Sequence, residues 1–230
     1  MNKISVVTSA FNEEKNLARL LTSVKWADEI IVIDNQSSDK TEEIARSFGA
    51  KVFFRPNNLM LNVNKNFGFT KATGDWIFNL DGDEEVSTEL AKEVRTAITN
   101  VKTSGYWMPR QNIIFGKWIK HSLWWPDYQL RLFKKGNGKF SCQQVHEYLE
   151  VNGKKDYLKE PLIHYNYESV SQFLYKVDKI YTESEADSFI KSGKKINWFD
   201  AVRFPAGDFL KTYFAQKGYK DGLHGLVLSL

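Results

Sequence analysis

The sequence predicts an α/β protein with a mixed, mostly parallel sheet flanked by helices and a helical C-terminal tail. Three observations carry this. The first hundred residues alternate short β-rich runs with segments of helical period, as parallel βαβ units do. After about residue 101 the helical period gives way to short strands and turns. From Ser169 it returns, leading into a tail rich in aromatic and basic residues.

Each element has its own local signal. Ile4 to Thr8 reads as a strand, followed by Leu17, Leu20, Leu21 and Val24 at helical spacing, with Asn12 placed to cap that helix. Glu29 to Asp34 is a second strand. Asp39 and Glu42 then have capping-box spacing for a helix through Phe48, which Gly49 stops. Lys51 to Phe54 is a third strand and Val63 to Ala72 a helix. Thr73-Gly74-Asp75 turns into the apolar strand Trp76 to Leu80, which ends at Asp81, Asp83, Glu84 and Glu85. A helix over about Ser87 to Asn100 precedes short strands at Tyr106 to Met108, Ile113 to Phe115 and Leu130 to Phe133. A hairpin is expected around Asn152-Gly153. Phe173, Leu174, Val177, Ile180 and Tyr181 form a helical stripe, read as packing on the sheet.

Composition excludes several classes. With 42% apolar and 14% aromatic residues the chain is no disordered segment, and its seven Trp offer flat faces for bases or sugars. A net charge of +4 suits a phosphorylated ligand or an anionic membrane surface as readily as solvated lysine faces, and nothing points to nucleic acid. Cys142 is alone, so no disulfide framework or multi-cysteine metal site is expected, which fits a reducing cytoplasm. No signal peptide or 18-residue apolar run is visible. The sequence stops inside the apolar run Leu226-Val227-Leu228-Ser229-Leu230, which suggests a truncation or a tail resting on lipid.

In open α/β sheets ligands bind beyond the carboxyl ends of the strands, so the loops after Thr8, Asp34 and Leu80 should converge on one cleft. Asp81-Gly82-Asp83 would offer carboxylate oxygens to a divalent cation there, and Gly82 lets the backbone bend. Such a cation can hold a diphosphate and stabilise the charge it gains on leaving. An exposed acidic loop before a helix has the same appearance, so the triplet alone decides little.

Its neighbours are more specific. Ile4 to Glu14, Ile31 to Thr41, Asn64-Lys65-Asn66-Phe67-Gly68 and Ala72-Thr73-Gly74-Asp75 precede the acidic turn in an order and spacing that resemble family two glycosyltransferases. Asp127 to Phe133, Gln144-Val145-His146-Glu147, Pro161 to Tyr165 and Asp221-Gly222-Leu223-His224-Gly225 look like the bacterial subgroup that includes lipopolysaccharide core β-1,4-glucosyltransferases. The resemblance implies the GT-A fold, with residues 1–168 as catalytic domain. Of these, 1–100 form the nucleotide-sugar half and 101–168 the acceptor side, while 169–230 are the tail. It implies Thr8, Phe11, Glu13 and Asp34 for base and ribose, and Lys65 for the nucleotide. Asn35 stands where many members carry a second Asp, and its amide can still pair with a uracil edge. Asp83 would bind Mn²⁺ or Mg²⁺ directly, and Asp81 the ribose or the metal. Arg131 would hold a diphosphate or an acceptor phosphate.

Members that resemble this chain invert the anomeric centre, which requires a base on the acceptor hydroxyl. Glu147 is the candidate, with Glu84 and Glu85 as competitors; a half-exposed Glu beside His146 is the plainer reading. The expected reaction moves a hexose, glucose foremost, from a UDP-sugar to a lipopolysaccharide-core or lipid-linked saccharide. It would take place in the cytoplasm, with the tail peripherally on the membrane or in a homodimer. Transfer to a peptide, or nucleotide binding without turnover as a membrane adaptor, are the alternatives.

Overall fold

A computed structural model describes residues 2–58, 61–142, 147–178, 189–190, 193 and 197–230. The chain divides into two compact units, Met1–Arg110 with Tyr128–His164 and Gln111–Asp127 with Tyr165–Leu230.

The first unit is built on β1 (Ile4–Ala10), β2 (Glu29–Asp34), β3 (Lys51–Phe54) and β4 (Trp76–Asp81), all parallel, in the order β3-β2-β1-β4. Helices α1 (Leu17–Ser23), α2 (Thr41–Ser47) and α3 (Leu61–Lys71) make the crossovers, and α4 (Thr88–Ala97) follows the acidic turn. The sheet continues through β8 (Asp127–Lys134), β6 (Gly105–Ile114) and β12 (Leu162–Tyr167) to β5 (Glu84–Val86). Here β8 runs antiparallel to β4, and β12 antiparallel to β5. The short strands β7 (Lys117–Trp118), β9 (Gly138–Lys139), β10 (Glu150–Val151) and β11 (Lys155–Tyr157) lie off this path.

Alternation along the strands fills two cores. Ile4, Val6, Val32, Phe78 and Leu80 face α1 and α4, whose Leu17, Leu20, Leu21, Leu90 and Val94 are fully buried among them. Val7, Ile31, Ile33 and Ile77 face the other way, onto Phe69 and Ala72 around α3 and onto Phe133 of β8. Gly68 is what lets α3 lie so close: a Cβ there would stand 2.6 Å from Val7 Cγ1 and 3.0 Å from Ile33 Cγ1. Close packing at Gly68 fixes the height of its neighbour Lys65 over the end of β4.

Gly49 ends α2 as expected, at φ +75°. Ser87 caps α4, its Oγ accepting from Leu90 N at 3.1 Å. Four expectations are corrected. The capping box at the start of α2 does not form: Lys40 is the N-cap, Asp39 Oδ1 accepts from Thr41 N at 2.9 Å and Glu42 Oε1 from Arg46 Nε at 2.8 Å. Asn12 does not cap α1, which begins only at Leu17; its Oδ1 instead accepts from Ser38 N at 2.8 Å, tying the β1 loop to the β2 loop. The segments Tyr106 to Met108 and Ile113 to Phe115 are not separate strands, since pairing draws Pro109 to Asn112 into the ten-residue β6. Asn152-Gly153 is a turn but not a hairpin. Before it β10 pairs with β9, and after it β11 runs parallel to β6, so pairing partners outside the turn set the topology.

The second unit contains α5 (Val170–Lys176), α6 (Asp200–Phe209) with a π-helical turn over Leu210–Ala215, a 3-10 turn over Gly218–Asp221, and α7 (Leu223–Val227). In the stripe that starts α5, Ile180 and Tyr181 lie outside the described residues. Phe173 packs edge-on to Tyr167 and Phe115, yet no α5 residue is fully buried. The Asp221-Gly222-Leu223-His224-Gly225 element is a fastening. Buried Asp221 accepts from His121 N at 2.9 Å and Lys120 N at 3.2 Å, while its carbonyl accepts from Lys117 Nζ at 2.7 Å. Gly225 lies against the Gly218 carbonyl, where a Cβ would come within 1.8 Å.

Candidate active site

The carboxyl ends of β1, β2 and β4 bring the polar loops of the first unit together. Glu13, on the loop after β1, packs against the acidic turn: a Cβ on Gly82 would meet Glu13 Cγ at 3.0 Å and Cδ at 3.2 Å. Glu13 Oε2 accepts from Asn16 Nδ2 at 3.0 Å, which holds it at the start of α1. Phe11 is exposed on the same loop. Thr8 is fully buried in β1, between Val32 and Leu80, with no partner for its Oγ1 among the described residues. Asp34 is buried at the end of β2, and its Oδ1 accepts from Ser37 N at 2.8 Å. Asn35 is turned inward. Its Nδ2 donates to Ser9 Oγ at 2.9 Å and its Oδ1 accepts from Asn64 Nδ2 at 2.7 Å, so the amide expected to pair with a base already bonds the scaffold on both sides.

Asp81 is the electrostatic hub. Lys65 Nζ donates to its Oδ1 at 2.6 Å and Arg131 Nη2 to its Oδ2 at 2.5 Å. Arg131 Nη2 also donates to Glu84 Oε1 at 2.6 Å, and Glu84 Oε2 accepts from Asp81 N at 2.8 Å. Arg131 and Glu84 are both buried. Burial pushes Asp81 up, but the charges of Arg131 and Lys65 outweigh it and hold its carboxyl well below the usual range. Burial also raises Glu84; there Arg131 offsets only part of the effect, because Asp81 pushes the same way as burial. Burial would depress Arg131, yet the two carboxylates keep it firmly charged. Both oxygens of Asp81 are thus engaged by cations, which makes Asp81 an anchor for Lys65 and Arg131.

Asp83 stands differently. Its Oδ2 lies 3.5 Å from His164 Nε2, which β12 brings in by pairing His164 with Glu84. A carboxylate and an imidazole at this separation are a plausible donor pair for one divalent cation, whose bonds to such ligands are roughly 2.0–2.2 Å long. Among the described residues no group of three or more His, Cys, Asp or Glu side chains could hold a metal ion. A cation held by Asp83 and His164 would need phosphate oxygens or water for its other ligands, as Mg²⁺ commonly takes. In the sequence His164 has no metal-ligand spacing to a neighbouring residue. Strand pairing across about eighty residues, rather than local spacing, is what delivers it.

Glu147 is tied to the loop after β9: Oε1 accepts from Ser141 Oγ at 2.8 Å and Oε2 from Cys142 N at 2.7 Å. Asn66, next to Lys65 on α3, grips the same loop. Its Nδ2 donates to Phe140 O at 2.9 Å and its Oδ1 accepts from Phe140 N at 2.9 Å. Lys65 itself lies 5.7 Å from the Phe140 ring. Consecutive residues of α3 thus reach Asp81 and the Glu147 loop. His146, Gln144 and Val145 lie outside the described residues. Of the competing carboxylates, Glu84 is consumed by Arg131 and Asp81 N, and alternation along β5 turns Glu85 to the opposite face of the sheet.

Comparisons with known proteins bear on this arrangement. The chain is 30% identical to an uncharacterized glycosyltransferase of Rickettsia typhi, over all of this chain and 82% of the relative. It is 24% identical to the lipopolysaccharide core biosynthesis glycosyltransferase LpsC of Rhizobium meliloti, over 97% of this chain and 85% of that protein. Residues 1–349 of Staphylococcus aureus TarS superpose with a TM-score of 0.57 at 19% identity, covering 76% of this chain and 63% of that one, which shows the GT-A-like fold. The model of "Glycosyl transferase family 2" matches residues 5–150, a span that holds Glu13, Lys65, Asp81, Asp83, Arg131 and Glu147. The family match and these relatives show that the chain is a glycosyltransferase using a nucleotide-sugar donor, and it belongs to glycosyl transferase family 2.

Proposed function

We propose that this glycosyltransferase moves a hexose, glucose foremost, from a UDP-sugar to a hydroxyl of a lipopolysaccharide-core or lipid-linked saccharide, with inversion. The observation that carries the reading is the convergence of Lys65 and Arg131 on Asp81, beside the Asp83–His164 pair. Two fixed cations and a metal-competent pair at the end of β4 form a site for a diphosphate. TarS was solved with UDP, and LpsC takes its name from the lipopolysaccharide core. Both support the choice of donor and acceptor class.

Within this site Asp83 and His164 would hold Mn²⁺ or Mg²⁺, which supplies Lewis-acid stabilisation of the departing diphosphate. Lys65 and Arg131 neutralise the charge that builds on that diphosphate, and Asp81 keeps both in place. Thr8, Phe11, Glu13 and Asp34 surround the base and ribose. Asn35 shapes this pocket through Ser9 and Asn64. Glu147 accepts the proton of the acceptor hydroxyl, since the site commits Glu84 to Arg131 and turns Glu85 away.

The donor assignment is tested by a thermal-shift panel of nucleotide-sugars with and without Mn²⁺. A ligand that binds only the native state stabilises it, by about 2.7 kcal/mol at a hundredfold excess over Kd. UDP-glucose should raise Tm, and more so with Mn²⁺. No shift with any UDP-sugar, beside a clear one with another nucleotide, would overturn the donor.

The tail of the second unit is proposed to meet an anionic membrane. Phe199, Val202, Phe204, Leu210 and Phe214 are exposed on and around α6, with Lys211, Lys217 and Lys220 nearby. Among the described residues no helix is long and apolar enough to cross a membrane, so the contact would be interfacial. The protein should sediment with vesicles containing anionic phospholipid and not with neutral ones. Sedimentation with neither, together with a dimer in solution, would assign the surface to a second copy.

A further inference from the structure

Between α1 and α4 an open groove of about 1170 Å³ lies over the edge strand β5. Its lining comes from the flanks of the two helices, where Trp26 and Ala91 border the buried core. Leu90 and Val94 of α4 are buried, whereas Thr88, Ala91, Lys92, Arg95 and Thr96 line the groove at three- and four-residue spacing. From α1 and the turn after it come Ala18, Arg19, Thr22, Lys25 and Trp26. Val86 and Ile163 give the groove an apolar floor. Glu85 and Ile163, a register pair across β5 and β12, line the groove, whereas Glu84 and His164, the next pair, are not among its lining residues.

The lining is apolar at depth and cationic at the rim. Arg19, Lys25, Lys92 and Arg95 face one acidic lining residue, Glu85. Arg95 is already paired with Asp28 at 2.7 Å and sits 5.3 Å from the Trp26 ring, so it forms the wall. Lys25 and Lys92 are exposed and make no ion pair among the described residues. The groove is lined by 15 residues, short of the roughly 20–30 a side that a stable protein interface engages. Its volume is just above the range of about 300–1,000 Å³ typical of single-ligand pockets.

We propose that this groove binds one amphiphilic anion, an alkyl chain along Ala18, Trp26, Val86, Ala91 and Ile163 with its phosphate head at Arg19, Lys25 and Lys92. The apolar floor removes the chain from water, and the lysines at the rim answer the charge of the phosphate. The ligand is a lipid phosphate, and its site is separate from the donor cleft.

Calorimetric titration of the full chain with octyl phosphate, octanol and inorganic phosphate tests this. Octyl phosphate should bind one to one, about tenfold tighter than either fragment alone. Saturating UDP should leave that affinity unchanged. Lys92→Glu, an exposed change that spares the fold, should weaken binding by about tenfold. Ala91→Trp, checked for folding by circular dichroism, should abolish it by filling the groove. Equal binding of inorganic phosphate, displacement by UDP, or full affinity in both variants would overturn the proposal. So would silence toward octyl phosphate alongside binding of an acidic amphipathic peptide. None of these measurements needs sugar transfer, so failure of the proposed donor would leave the result readable.

Discussion

Arg131→Met is expected to destabilise the protein by about 3–5 kcal/mol at neutral pH and to abolish donor binding. Methionine fills much of the same space, so the loss would come from charge. Arg131 bonds Asp81 and Glu84 at once, and Glu84 is wholly buried. Without the guanidinium, Glu84 keeps only the Asp81 N–H among its bonds described here, and Asp81 keeps Lys65. The effect should depend on pH, with a sign that the two carboxyls fix. Glu84 is raised above the usual 4.5, so its stabilising contribution is complete below that pH and is lost as pH rises through the folded value. Asp81 is lowered, so its contribution is present above the usual 3.8 and lost as pH falls through its folded value. Removing Arg131 moves both carboxyls up, and the folded variant must then carry poorly compensated charge wherever both are ionised. The deficit against wild type should be largest at pH 7 and narrow toward pH 4.5. Denaturant unfolding of both proteins at pH 7 and pH 5 measures it. Equal deficits at the two values would mean that packing, not charge, is what Arg131 supplies.

The network also shows what local sequence could carry. Strands β2 and β3 and the stop at Gly49 lie where period and turn chemistry place them, because each depends on residues a few positions apart. The acidic turn was legible for the same reason: an apolar strand ends there and a helix begins. His164 was not, because its place beside Asp83 depends on the register of β12 against β5, which no local pattern sets. Asn35 depends on the fold in another way. The residue type suits base recognition, but Ser9 and Asn64, brought close by β1 and α3, claim its amide. Lys65, which the family pattern implies for the nucleotide, bonds Asp81 in the structure, where Gly68 lets α3 pack close to β1. Chemistry that rests on adjacent residues could be read directly, while chemistry assembled across strands needed the fold.

Asp83→Ala should lower turnover by roughly a thousandfold while leaving the fold intact. Asp83 is not in the core; its side chain is 24% exposed, and none of the Asp81, Arg131 and Glu84 bonds runs through it. The variant keeps Lys65 and Arg131, so it should still bind UDP, and the loss should fall on kcat more than on KM. Saturating Mn²⁺ should not restore activity, since His164 alone provides one ligand where the proposed site needs two from the protein. His164→Gln should show a smaller loss that rising Mn²⁺ partly repairs, because the carboxylate remains. This pair of outcomes separates metal binding from a merely structural role. If Asp83 only held β12 through His164, both variants would lose stability together and neither would respond to metal. Full activity in Asp83→Ala would move the metal to Asp81, which could accept it only by releasing Lys65 or Arg131.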